Sequence, residues 1–463
     1  MPQAFDAIII GAGQAGPSLA EALTGAGMKV ALIERKYFGG TCVNTGCMPT
    51  KALVASAYAA HLARRAAEYG VSIEGRIGID MPAVKARKQQ VTMNARQGVE
   101  SWLRKMPGCT VFDGHARFES AQEISVDKGD GGGSERLSAP RIFINAGGRA
   151  SHPDMPGIDD VSTFDNVSIL ELAQVPRHLV IVGGSYIGLE FAQIWRRFGA
   201  KVTVVEKSPR LLGREDEEVS AAIREILEAE GIAFRTGAEC ISFRPQGEDI
   251  AVGVDCHSGE PQVVGSHVLL AVGRRPNTDD LGLDRAGIAT DERGYIGVDE
   301  QLATNVPGIW ALGDCNGRGA FTHTAYNDFE IVAANLLGEP ARRLSDRIDC
   351  YALFTDPPLG RVGLTEAQAL KAGHKVRIGR RPMSRVGRAV EKGETLGFVK
   401  VVVDADTDRI LGAAILGVNG DEAVHSILDT MAAGATATAL AHTVHIHPTV
   451  SELIPTVMGS LKP

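Results

Sequence analysis

Two cysteines stand close together in the run GGTCVNTGCMPTK, where four residues separate Cys42 from Cys47. A regular helix would place their Cα atoms about 7.5 Å apart, which exceeds the ~4.4–6.8 Å that a disulfide usually spans. The chain must therefore bend between them, and Asn44 and Gly46 are residue types that permit a bend. The spacing predicts a pair of thiols that can form a disulfide when the intervening backbone is bent.

The residues after Cys47 predict a helix, since Pro49 suits the first helical turn. Cys47 then lies at the positive end of that helix, which favours thiolate over thiol and lowers its pKa. Cys42 is accordingly expected to exchange with the substrate. A zinc site would need further ligands at short spacing, and no second Cys or His pair surrounds this one, so no metal site is predicted.

The composition excludes several classes of protein. Seven cysteines in 463 residues are too few for a secreted disulfide scaffold, and those at positions 109, 240, 256, 315 and 350 are expected to be buried small side chains. The net charge of −8 is spread without a basic stripe, so nucleic acid is not an expected partner. Without a long apolar run or a signal-like start, we expect a cytoplasmic protein that does not cross a membrane.

The sequence predicts the same unit twice, namely a strand, a glycine-rich turn, a helix and a second strand. The first copy reads FDAIII, GAGQAG and KVALIE, and the second HLVIVGG, SYIGLEFAQIWRRFGA and KVTVVE. An acid closes each copy 23 positions after its first glycine. Such turns let a pyrophosphate rest on a helix N-terminus while the acid binds a ribose. The predicted binding residues are Gly11, Gly13, Gly16 and Glu34 in the first copy, and Gly183, Gly184, Gly188 and Glu206 in the second.

The rest of the chain predicts strands and a further domain. Alternating residues from about 110 to 147 predict antiparallel strands with a hairpin at DKGDGGGSE. From about 341 onward, strands such as FVKVVVDADTDRILGAAILG precede helical segments, which is typical of a separate α+β domain.

The cysteine run and both glycine turns resemble those of the FAD-containing pyridine nucleotide-disulfide oxidoreductases, a family that includes dihydrolipoamide dehydrogenase, glutathione reductase and mercuric reductase. The resemblance implies an α/β fold with two Rossmann-like dinucleotide-binding domains, for FAD and NAD(P), and a C-terminal α+β dimerisation domain. It places the FAD-binding domain at 1–145 and 272–340, the NAD(P)-binding domain at 146–271 and the dimer interface at 341–463. It also implies a homodimer.

The resemblance carries over to single positions. Lys51 matches a lysine beside the flavin, Glu190 the acid paired with it, and Tyr186 a tyrosine that covers the nicotinamide pocket. Further matches at the FAD site are Gly40, Thr41, Ala146, Gly147 and Asp314, and at the NAD(P) site Gly273 and Arg275. In HTVHIHPTVSELIPT, His447 and Glu452 resemble an acid/base pair that acts on the exchange thiol, with Glu452 orienting the ring.

These matches predict an NAD(P)H oxidoreductase that reduces a small-molecule disulfide or a thiol-bound metal acceptor. The chain is mercuric reductase-like, but it has no cysteine after Cys350 to form the C-terminal pair of that enzyme. Dihydrolipoamide dehydrogenase, which oxidises a dithiol with NAD⁺, is the alternative, and a redox-sensing flavoprotein regulator is an alternative of another class. Glu206 favours NADH over NADPH because it would repel a 2′-phosphate, although Lys207, Arg210 and Arg214 follow closely.

Overall fold

The computed structural model describes residues 1–129, 131–239, 241–254, 261–338 and 340–462. The chain divides into two compact units. The first unit comprises Met1–Ala52, Pro82–His152 and Val272–Arg347, and the second comprises Leu53–Met81, Pro153–Ala271 and Ile348–Pro463. The helix Cys47–Arg64 begins in the first unit and ends in the second.

A parallel five-stranded sheet organises the first unit. Its strands lie in the order Ile309–Ala311, Ile142–Ile144, Ala7–Ile10, Val30–Glu34 and Cys109–Asp113. Alternate residues of its central strand enter two different cores, Ile8 and Ile10 on one face and Ala7 and Ile9 on the other. Both faces are covered, which explains why the strand is an uninterrupted apolar run.

Smaller sheets and further helices complete the part of the first unit that the structure describes. One sheet orders Gln3–Ala4, Ser134–Ser138, Glu123–Asp127 and His115–Phe118, and a ribbon pairs Arg274–Pro276 with Gly148–Ala150. The helices are Ala15–Gly25, Gly40–Asn44, Met81–Lys105 and Thr322–Leu337. The prediction of antiparallel strands over 110–147 was wrong at its two ends, because Cys109–Asp113 and Ile142–Ile144 pair in parallel with neighbours distant in sequence.

The second unit repeats the parallel pattern and adds two antiparallel sheets. The parallel sheet orders Ala233–Thr236, Lys201–Glu206, His178–Val182 and His267–Leu270. One antiparallel sheet has the strand order Ser242–Gln246, Asp249–Gly253 and Gln262–Gly265. The other has the strand order Cys350–Leu353, Leu359–Gly363, Ile410–Leu416, Phe398–Asp404 and Val376–Pro382. The helices here include Tyr186–Phe198, Glu217–Ala229, Glu366–Lys371, Gly387–Glu391, Gly420–Ala423, His425–Ala432, Ala437–Ala441 and Ile454–Met458.

The predicted fold class is confirmed by the two parallel sheets, each with a glycine turn and a helix after its central strand, and by the C-terminal α+β sheet. The three-domain boundaries stay a prediction. In the part of the chain that the structure describes, no helix is long and apolar enough to cross a membrane.

Candidate active site

The first glycine turn forms a cradle of backbone atoms. Gly11 has a φ of +106°, and a Cβ there would lie 2.3 Å from the carbonyl oxygen of Asn145. A Cβ at Gly16 would lie 2.3 Å from the oxygen of Gly11, and one at Gly13 would press on the Asn145 amide. Glu34, at the end of the next strand, accepts a hydrogen bond from the amide of Ala12 at 2.8 Å. The cradle thus excludes any side chain and ends on a carboxylate, which fits the pyrophosphate and ribose of FAD.

The second glycine turn has the same construction. Gly183 has a φ of +116°, and a Cβ there would lie 2.3 Å from the oxygen of Ala271. A Cβ at Gly188 would lie 2.0 Å from the oxygen of Gly183. Glu206 accepts a hydrogen bond from the amide of Gly184 at 2.6 Å, as Glu34 does in the first copy. This cradle fits a second dinucleotide.

The backbone bends between the two cysteines. Cys42 lies in the short helix Gly40–Asn44, and Cys47 begins the next helix, as the sequence predicts. The Asn44 side chain donates to the oxygens of Phe38 and Gly40 at 2.9 and 2.8 Å. Arg96 in turn donates to the Asn44 side chain at 2.6 Å. The bent segment between the cysteines is thus held by hydrogen bonds within the segment itself and by one from Arg96, which lies elsewhere in the chain.

The two thiols have opposite electrostatic environments. A hydrogen bond from Cys42 is the main reason why the pKa of Cys47 falls to about 6, with further contributions from Thr322 and from the charge of Lys51. The hydroxyl of Thr322 lies 3.3 Å from the Cys47 sulfur. The same thiol contact, followed by burial, raises the pKa of Cys42 well above its ordinary value. Cys47 is therefore the thiolate of the reduced pair, and Cys42 keeps the proton.

The other residues predicted to bind FAD lie close to the first glycine turn and to the two-stranded ribbon. Gly40 has a φ of +60°, and its Cβ would lie 2.8 Å from the Cα of Gly13. Thr41 lies 3.5 Å from the oxygen of Gly148 through its hydroxyl. The backbone oxygens of Ala146 and Gly147 accept hydrogen bonds from Asn277 at 2.9 and 3.0 Å.

Asp314 is paired with an arginine that the motif comparison did not single out. Burial raises the pKa of Asp314, while Arg274, 3.0 Å away, acts in the opposite direction. Arg275 is exposed on the adjacent position of the strand, and the oxygen of Gly273 accepts a bond from Ser151 at 2.9 Å.

Glu190 and Tyr186 lie on the helix that follows the second cradle. Glu190 is 7% exposed and accepts a hydrogen bond from the amide of Phe354 at 3.0 Å. The ring of Tyr186 packs edge-to-face on Tyr351, with centroids 5.4 Å apart. The pairing of Glu190 with Lys51 stays a prediction.

His447 and Glu452 are joined by a short hydrogen bond. Nδ1 of His447 lies 2.6 Å from Oε2 of Glu452, while 80% of the His447 side chain is exposed. A ring held through Nδ1 presents Nε2 to a reacting group. The pair can therefore hold and deliver a proton at the surface of this chain.

The other cysteines divide by burial. Cys315 is buried, as predicted, whereas Cys109 and Cys350 are only partly covered, and Cys240 and Cys256 lie outside the described residues. Across the described ranges, no group of three or more His, Cys, Asp or Glu residues is arranged to hold a metal ion.

Two residues that contact the candidate site were not predicted from the motifs, namely Thr322 beside Cys47 and Asn145 beside the first glycine turn. The side chain of Asn145 donates to the oxygen of Gly11 at 3.2 Å. Both lie far in sequence from the residues that they contact, Gly11 and Cys47, although Asn145 directly precedes the matched residue Ala146. Asn145 directly follows the strand Ile142–Ile144, and because ligands bind at the carboxyl ends of parallel strands, this position could have indicated its role.

Family models match nearly the whole chain. The model described as pyridine nucleotide-disulphide oxidoreductase matches residues 5–328. The model described as the dimerisation domain of the same proteins matches residues 350–458.

Individual proteins are also similar to this chain over nearly its whole length. The probable pyridine nucleotide-disulfide oxidoreductase RclA of Escherichia coli is 36% identical, covering 99% of both chains. A mercuric reductase of Streptomyces lividans and a dihydrolipoyl dehydrogenase of Thermus scotoductus are each 35% identical, covering 97% of this chain and 94% and 95% of theirs. A solved structure described as the Cu(II) complex of the HOCl-induced flavoprotein disulfide reductase RclA from Escherichia coli superposes with a TM-score of 0.89 at 35% identity, covering 99% of each chain.

Proposed function

This chain belongs to the FAD-dependent pyridine nucleotide-disulfide oxidoreductases, and from that premise we propose that it carries electrons from NADH through Cys42 and Cys47 to a small disulfide or a thiol-bound metal ion. The observation that carries the proposal is the asymmetry of the thiol pair, in which one sulfur is a thiolate near neutral pH and its neighbour keeps its proton. Bound FAD supplies the carrier that accepts a hydride and passes on two electrons.

In this proposal, each residue of the site performs a different step of the thiol chemistry. Cys42 must lose its proton before it attacks the acceptor, and the His447–Glu452 pair is the base proposed to take it. Cys42 forms a mixed disulfide with the acceptor, and the released thiolate takes the proton back from His447. The Cys47 thiolate then attacks the Cys42 sulfur, which closes the Cys42–Cys47 disulfide and releases the second half of the acceptor as a thiolate that takes its proton from solvent. One acceptor disulfide thus takes up two electrons and two protons.

A homodimer is part of the proposal. Val444 and Ile446, which precede His447, are 97% and 80% exposed in the single chain. Two large apolar side chains that are exposed close together in the sequence are a favourable place for a partner to bind, since contact would remove them from water. They lie within the region matched by the dimerisation model, so the partner is proposed to be a second copy of this chain.

The acceptor is proposed from the relatives. The flavoprotein disulfide reductase RclA forms a Cu(II) complex, and the mercuric reductase is named for its metal. Dihydrolipoamide oxidation is the second candidate, because the paired histidine and glutamate suit a dithiol substrate and relatives named dihydrolipoyl dehydrogenase align over the whole chain. A two-electron couple changes direction with shifts of tens of millivolts, so the same site serves either reaction.

The donor is proposed to be NADH. Both oxygens of Glu206 accept backbone hydrogen bonds, from Gly184 and Ser208, which hold the carboxylate at the end of its strand. An acid at this position of a dinucleotide-binding unit binds a ribose 2′-hydroxyl and repels a 2′-phosphate, which supports the proposal. Lys207 and Arg210 are exposed nearby.

The test is a turnover assay of the flavin-loaded protein with NADH and NADPH against lipoamide, glutathione disulfide, mercuric ion and cupric ion. We expect turnover with a disulfide or a metal ion and a preference for NADH. Cys47→Ser should abolish acceptor turnover while FAD stays bound, and Cys109→Ser, at a partly covered thiol elsewhere, should leave it unchanged. A large preference for NADPH would contradict the role of Glu206, and full turnover by Cys47→Ser would contradict the role of the pair.

A further inference from the structure

One face of the helix Tyr186–Phe198 is fixed to the segment 351–356. Residues 186, 190, 193 and 197 follow each other at intervals of four, three and four, so they share that face. Glu190 accepts from the amide of Phe354 at 3.0 Å, Gln193 exchanges two bonds of 2.8 Å with the backbone of Asp356, and Arg197 lies 2.7 Å from the Asp356 carboxylate. The helix is therefore held to this segment at three of the four positions, and Tyr186 lies at the fourth, on the first residue of the helix.

Tyr351 contacts the side chain of Tyr186 in two ways. The two rings meet edge-to-face at 79°, with centroids 5.4 Å apart. A hydrogen bond also links the two side chains. Both contacts would be lost if the Tyr186 ring turned away.

Tyr351 is itself fixed by a buried ion pair. Its hydroxyl donates to Oε1 of Glu215, and Oε2 of Glu215 lies 3.0 Å from Nη2 of Arg361. Arg361 is 1% exposed and the Glu215 side chain is fully covered. Burial, followed by the charge of Glu215, raises the pKa of Tyr351, so the phenol stays a donor at every physiological pH.

We propose that Tyr351 is a positioning residue that holds Tyr186 closed over the nicotinamide-binding cleft. This inference rests on the proposed function and on the prediction, from the family resemblance, that Tyr186 covers the nicotinamide pocket. A reduced nicotinamide must displace the Tyr186 ring before it binds, and therefore it must also break the contacts with Tyr351. Stronger contacts with Tyr351 lower the fraction of enzyme that is open, and the apparent dissociation constant for the nicotinamide rises in inverse proportion to that fraction.

The test measures flavin reduction in the flavin-loaded enzyme, mixed anaerobically with increasing NADH and, separately, with dithiothreitol. Tyr351→Phe keeps the ring contact and removes the hydroxyl, so the apparent dissociation constant for NADH should fall by about threefold to tenfold. Tyr351→Leu also removes the ring contact and should lower it further. Reduction by dithiothreitol should keep its rate in both variants.

Tyr58→Phe is the matched control, because Tyr58 also donates to a carboxylate, that of Glu394 at 3.0 Å, without contacting Tyr186. This control should leave the apparent constant unchanged. An unchanged or raised constant in Tyr351→Phe, together with a lowered one in Tyr186→Ala, would overturn the role of Tyr351 alone. If Tyr186→Ala also leaves the constant unchanged, the proposed gating by Tyr186 fails instead. Should Tyr351→Leu not fold, Tyr351→Phe decides the question.

Discussion

At the scale of single residues, the hydroxyl of Thr322 matters because it reaches the Cys47 sulfur across 275 positions of sequence. A hydroxyl that donates to a thiolate stabilises the charged form and lowers the pKa of the thiol. The charge of Lys51 acts in the same direction. Cys47 is thus a thiolate above a pH of about 6 and a thiol below it.

Thr322→Val should raise the pKa of Cys47, since the isosteric side chain removes the hydroxyl and keeps the packing. The midpoint of thiolate formation should then lie about one pH unit higher. The ultraviolet absorbance of the thiolate in the reduced enzyme, followed against pH, measures this. Thr322→Ser, which keeps the hydroxyl, should behave like the unchanged protein, and equal midpoints for the Val and Ser variants would show that the hydroxyl has no role.

Residues with a local motif could be predicted from the sequence, and residues that act across the fold could not. The bend at Cys42–Cys47 and the acid at Glu34 follow from spacing alone, because neighbouring residues determine both. Asn145 and Thr322 reach the site only after distant strands have paired. Arg274, and not its exposed neighbour Arg275, pairs with Asp314, because successive residues of a strand face opposite sides.

At the scale of elements, the chain builds the same strand, turn and helix twice, with the same contact between the acid and the turn. The sequence predicted both units, because continuous apolar strands followed by glycines are a strong local pattern. It did not predict that strands such as Cys109–Asp113 join the parallel sheet. The pairing partner of a strand depends on the whole chain and not on its own alternation.

Replacing the first glycine of either turn should weaken the binding of one dinucleotide and leave the binding of the other unchanged. Gly11→Ala places a Cβ against the oxygen of Asn145 at a positive φ, so FAD affinity should fall about tenfold or more. Gly183→Ala meets Ala271 in the same way and should instead raise the KM for NADH while the flavin stays bound. Flavin absorbance and steady-state kinetics measure the two effects.

Gly25→Ala is the control for both variants, because a Cβ there meets no atom within 4 Å. Flavin content and KM should both be unchanged in that protein. Normal flavin content in Gly11→Ala would show that the first turn does not hold the pyrophosphate.

At the scale of the whole molecule, the exposed His447 has to meet the thiols of another chain if the proposed homodimer shares its active sites. Co-expressed Cys42→Ser and His447→Gln chains test this directly. A mixed dimer would contain one site with both an intact cysteine pair and an intact histidine, so acceptor turnover should recover to about half of the normal value per dimer.

Mixed dimers of Cys42→Ser with Cys47→Ser chains provide the control, since every site then lacks one sulfur. Their acceptor turnover should stay absent. If the Cys42→Ser and His447→Gln mixture is equally inactive although mixed dimers have formed, each chain must use its own histidine.

The bracing of the cysteine loop by Asn44 and Arg96 affects the energy balance of the couple. Because the two sulfurs are already within hydrogen-bonding contact when reduced, each is present to the other at a very high effective molarity, which favours ring closure. Stabilisation of the Cys47 thiolate favours the opened form. The reduction potential of the pair therefore depends on two opposing contributions, the closeness of the sulfurs and the stabilisation of the thiolate.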